Sequence, residues 1–223
     1  MPDRRIGGRG GGSDPAPKKG GPLLVAAGLA LTMAASGGAL DSGGAALSRG
    51  SSANSTSGQV LKARKAESKK SARKGRIEQA WQRMGMRGSR KASEKDASCV
   101  AHSFGEIRRF FARTPCRSLD RVVFGLNNGR GAVAAVSVVW VTMPSRSKER
   151  RFRQLLDVHG NGDITPLGSP LLKRYGIRFT GRNYDAQQHG RTTAVAEVEN
   201  ASGRFDRDAL DAIAEVAAAL PPP

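Results

Sequence analysis

The chain has 223 residues, with 37 Lys and Arg against 19 Asp and Glu, and a formal net charge of +18. Residues 1–98 contain one aromatic, Trp81, so the first half has no ladder of rings on which bases could stack. This speaks against nucleic-acid binding, and two cysteines without a C-x-x-C pair speak against a zinc cluster.

Residues 1–21 are short, basic and rich in Gly and Pro, and read as a disordered cytoplasmic tail. Residues 22–40, PLLVAAGLALTMAASGGAL, carry no charge across nineteen positions. That length suits one transmembrane helix or signal anchor. Its apolar content is thin, and a cleaved signal peptide or a non-inserted Ala/Gly-rich linker are the rival readings. Five basic residues precede the run, and Arg49 is the sole one in the twenty residues after it. This asymmetry predicts a cell-membrane location, single-pass, with the N-terminus cytoplasmic and the C-terminal part extracytoplasmic, or secreted if cleaved.

Residues 41–70 read as a disordered linker, and 71–98 as an amphipathic basic helix and connector. The helix is expected over Lys62 to Met84, weakened at Gly75. Ile77, Ala80, Trp81 and Met84 form an apolar stripe that suits docking on the next domain, a membrane surface or a partner. Residues 41–98 carry a net charge of +9, against +6 for residues 99–223. A solvated spacer is the plain reading. Attraction to anionic lipid headgroups or an acidic envelope polymer is the sharper one.

Residues 99–223 read as the folded domain. Cys99 and Cys116 are an even pair in a part expected to be exported, which predicts one disulfide. Ser103 and Glu106 have the spacing of a capping box, opening a helix that Pro115 stops. Leu119 to Leu126 and Ala132 to Met143 are strand candidates, joined at Asn127-Asn128-Gly129-Arg130-Gly131. Ser145 or Ser147 opens a second helix with Phe152, Leu155 and Leu156 inward and Arg146, Lys148, Arg150, Arg151 and Arg153 outward. Strands follow near Ile177 to Thr180 and Thr192 to Glu199. Asp206 caps a last helix. The order α-β-β-α-β-β-α predicts an α+β fold with an antiparallel sheet of about four strands and helices mainly on one face.

Few residues invite chemistry. Asp157, Asn161 and Asp163 resemble the start of a calcium loop, but Gly168 stands where a bidentate Glu is required. Arg178, Arg182, Tyr184 and Asp185 are the candidate ligand-binding residues, because paired guanidinium groups can grip an anion. No nucleophile elbow or phosphate loop occurs. No cofactor and no catalysis are expected. A cytosolic nucleic-acid-binding protein and a secreted envelope hydrolase are the alternatives.

Pro115-Cys116-Arg117-Ser118-Leu119-Asp120-Arg121, Arg178-Phe179-Thr180-Gly181-Arg182 and the Leu-Pro-Pro-Pro ending resemble a family of uncharacterised actinobacterial membrane-anchored or secreted proteins. The resemblance spans roughly residues 70–223 and implies an envelope location. It brings no activity and no functional residue.

Overall fold

The computed structural model describes residues 49–223. The apolar segment 22–40 lies outside them. Among the described residues no helix is long and apolar enough to cross a membrane.

The fold is α+β, built on a five-stranded antiparallel sheet in the order β1-β2-β3-β5-β4. Its strands are β1 (Arg87–Asp96), β2 (Ser118–Asn127), β3 (Val133–Thr142), β4 (Tyr184–His189) and β5 (Thr192–Ser202). The central strand β3 is apolar at both parities, so both of its faces need covering. Ala134, Val136, Val138 and Trp140 face α6 (Arg207–Ala218), with α1 (Arg49–Arg73) and α2 (Ile77–Arg83) beside it. Val139 and Val141 face α3 (Gly105–Arg113) and α4 (Arg146–Leu156). The expectation of helices mainly on one face is therefore corrected: they cover both. The Trp140 indole donates to the Leu220 carbonyl at 2.9 Å and ties the end of α6 to the sheet.

The β2–β3 hairpin forms at the expected place. Asn128 Oδ1 accepts from the amides of Arg130 and Ala132, and Gly129 and Gly131 take positive φ as the tight turn requires. Asp206 and Ser145 cap α6 and α4 through their side chains, accepting from the amides of Ala209 and Lys148.

Four expectations change. The stretch read as linker to residue 70 is helical from Arg49. Small buried Ser68, Ser71 and Ala72 let α1 approach closely, while Lys65 and Lys69 pair with Glu215 of α6. Gly75, at φ +70, separates α1 from α2. The stretch 71–98, read as helix and connector, contains β1, which pairs with β2 from Leu119 to Asn127. The stripe of α2 packs inward through Ala80, Trp81 and Met84, and Ile77 stays exposed.

The strand expected near Ile177 to Thr180 is a loop. Thr180 gives its amide and hydroxyl to Glu199, and the Gly181 amide goes to Glu197. Side chains of β5 thus take the bonds that a ladder would have used, and β4 begins only at Tyr184.

The capping box does not form. Ser103 Oγ donates to the Val100 carbonyl, and Glu106 pairs with Arg109. The Asn161 carbonyl accepts from the amides of Glu106 and Ile107 instead, and Asp163 O accepts from Phe104 N. A Cβ on Gly162 would lie 2.1 Å from the Phe104 carbonyl, so this clasp requires glycine there.

Cys99 and Cys116 are joined as a disulfide with Cα atoms 6.1 Å apart. It closes the loop that carries α3. Its loss is expected to destabilise the domain by about 3 kcal/mol on the chain-entropy argument for a loop of this size. A lowered urea midpoint after reduction, with free thiols appearing only then, checks this. Two reactive thiols on the native protein would contradict it.

Candidate anion-binding groove

Helices α3 and α4 lie on the same face of the sheet and run antiparallel, since the turn after α4 caps the start of α3. Phenylalanines lock them together. Phe152 lies 5.0 Å from Phe111 and 6.1 Å from Phe110, centroid to centroid, the latter pair stacked. The positions facing out over this seam are cationic. Arg109 and Arg113 rise from α3, and Lys148 and Arg151 from α4, around a floor of Phe110 and Leu155. Arg150 lies outside this groove, in a neighbouring depression on α4 that shares Ser147, Arg151 and Leu155. The groove's volume is about 550 Å³.

The charge in this groove is poorly balanced. Glu106 pairs with Arg109. Arg113, Lys148, Arg150 and Arg151 have no carboxylate partner among the described residues. Two like charges 8 Å apart in water repel by about 0.5 kcal/mol. An anion seated among them removes that cost several times over. The one acidic residue of α4, Glu149, does not offset them at the surface. It is fully buried and accepts from Thr193 Oγ1 at 2.7 Å and from the Gln188 amide. Arg153 is committed elsewhere, to Asp157 and the Ala186 carbonyl.

The residues singled out from sequence are not gathered into one site. Arg178 and Arg182 are exposed. Tyr184 packs on the α3–α4 side of the sheet, whereas Asp185 takes the next position of the strand, facing the other way, and accepts from Gln187. Asp157 pairs with Arg153, and Asn161 turns its amide to the Leu155 carbonyl, so this segment works as a helix-to-helix clasp.

A charge network that the sequence did not suggest joins the end of β1 to the loop after it. His102 Nε2 lies 2.6 Å from Asp96 Oδ2 and 3.9 Å from Glu94 Oε1. Glu94, Asp96 and His102 are the trio of metal-ligating types that comes together among the described residues. The guanidinium of buried Arg121 already holds Glu94 Oε1 at 2.5 Å. Together these contacts form a polar network that pins the end of β1 to the following loop.

The Asp96 carboxyl is held below its ordinary value of 3.8, first by the Ser98 amide and then by His102. A depressed carboxylate contributes stability above its unfolded pKa and loses it as pH falls through the folded one. Between about pH 4 and pH 2, the urea midpoint of the native protein should therefore fall more steeply than that of Asp96→Asn. Parallel curves would show that Asp96 does not contribute.

No protein family, no curated protein and no solved structure matches this chain.

Proposed function

We propose that this chain is a single-pass, membrane-anchored protein whose α+β domain lies outside the membrane and binds anionic ligands without catalysis. The observation that carries the binding is the α3–α4 groove, where Arg113, Lys148 and Arg151 surround an apolar floor without carboxylate partners, with Arg150 on α4 beside it. Arginine forks match phosphate and carboxylate oxygens in pairs. The uncharged run at 22–40 and the charge asymmetry around it support the anchored topology. The Cys99–Cys116 disulfide agrees with an oxidising compartment.

Polyphosphate binding by the full chain tests the groove. Reversing Lys148 and Arg151 together (Lys148→Glu, Arg151→Glu) should weaken binding about tenfold at low salt, with the gap closing as salt screens the field. Reversing Arg130 and Arg204, which are exposed on loops elsewhere, should cost far less. Equal losses from the two pairs would sink the groove and leave only general basicity. Membrane fractionation followed by protease accessibility of the C-terminal domain tests the topology.

A further inference from the structure

We infer that the α3–α4 groove, with Phe104 and Val158 at its end, is a contact surface for an anionic lipid bilayer. This rests on the groove reading above and names its ligand. Phe104 is 50% exposed and Val158 52% exposed. Both are fastened to the same glycine turn. The Asn161 amide donates to Val158 O at 3.3 Å, and Phe104 N donates to Asp163 O at 3.0 Å. The two apolar residues therefore flank a hydrogen-bonded loop at the end of the helix pair, next to Leu155 of the groove floor. Leu155 O accepts from Val158 N and from the Asn161 side chain.

Phe104 is also out of place for folding. It occupies the N-cap of α3 and makes no side-chain cap bond. Ser, Thr, Asp or Asn would serve the helix there. Half of the ring is left in water, so the fold gains little from it. A soluble polyanion would use the cations and have no use for these two side chains. A bilayer uses both: headgroup phosphates meet Arg109, Arg113, Lys148, Arg150 and Arg151, while the apolar pair enters the boundary below them. Charge attraction joined to shallow apolar insertion is what holds a protein at an anionic interface. Leu171 and Tyr175, exposed on the short helix α5 (Ser169–Arg174) and at its end, stand beside Lys173 and Arg174 and are the rival apolar-and-basic patch, so they serve as the comparison.

The test uses the full chain reconstituted into vesicles, so that the 22–40 segment is present in every sample. A Phe104→Trp variant reports insertion through its own emission, measured against the native protein, whose Trp81 and Trp140 are buried. In vesicles containing phosphatidylglycerol, the introduced indole should shift to the blue. Brominated acyl chains should quench it about twofold. In pure phosphatidylcholine vesicles it should stay unquenched, and adding Lys148→Glu with Arg151→Glu should abolish the effect. No quenching in anionic vesicles, with polyphosphate binding retained, would overturn the bilayer assignment and leave the groove standing. Loss of both would overturn both. Equal quenching in neutral vesicles would overturn the role of the cations. Equal quenching of a Leu171→Trp variant would overturn the assignment to this end of the domain.

Discussion

Trp81→Ala is expected to destabilise the domain by about 3–5 kcal/mol, the range for deleting a large buried aromatic. Trp81 is 2% exposed and stands 5.8 Å from the Phe124 ring of β2. Its neighbours in the same cluster include Met84, Met86, Val122 and Leu126. The indole is thus the wedge between α2 and the sheet. Removing it leaves a void that small Ala80 and Ala72 cannot fill. A domain of this size has roughly 5–15 kcal/mol in total, so the variant should approach the folding threshold. Equilibrium urea unfolding of the full chain measures it. A loss under about 1 kcal/mol would mean that α2 rests on the domain without supporting it. By the same argument, a fragment starting at residue 99 should fold poorly. It loses both Trp81 and β1, baring the edge of β2 from Leu119 to Asn127.

That N-terminal part was hard to read for physical reasons. The β1 sequence, RGSRKASEKD, has no apolar residue larger than alanine. Nothing in it alternates, because an edge strand can live on backbone bonds to its neighbour while its side chains meet water. Charges on such an edge also discourage pairing with other chains. The turn at Asn127 to Gly131 was legible because Asn and Gly supply the positive φ of a tight reversal, a local property. The continuous apolar run of β3 announced burial on both faces. It could not say which helices would lie on each.

The site was less legible than the fold. The cations of α4 are visible as an Arg-rich helix face, but their union with Arg109 and Arg113 exists only once α3 packs antiparallel beside it. Glu149 sits among those cations in the sequence, and nothing in the helix pattern marks it as buried. The structure turns it inward to Thr193 and Gln188. Arg178 and Arg182 are close in sequence, yet they sit on a loop whose anchoring is done by Thr180, Gly181 and two glutamates of β5. Charged residues close in sequence are weak evidence for a site when the backbone between them is irregular.

Phe152→Ala should cost a further 3–5 kcal/mol and, unlike Trp81→Ala, should also damage binding. Phe152 is fully buried and touches both Phe110 and Phe111, so it sets the distance between the two helices that wall the groove. Without it α4 can sink toward the sheet or tilt, and Lys148 and Arg151 lose their spacing from Arg109 and Arg113. Phe152→Leu keeps most of the volume and should cost about 1–2 kcal/mol, with binding largely preserved. The two variants separate stability from geometry. At a temperature where both remain folded, by near-UV circular dichroism, polyphosphate affinity should drop several-fold for the alanine variant and change little for leucine. Equal affinities in the two folded variants would mean that the cations act as independent surface charges. The groove would then have no shape worth preserving, because a diffuse field does not depend on where one phenyl ring holds a helix.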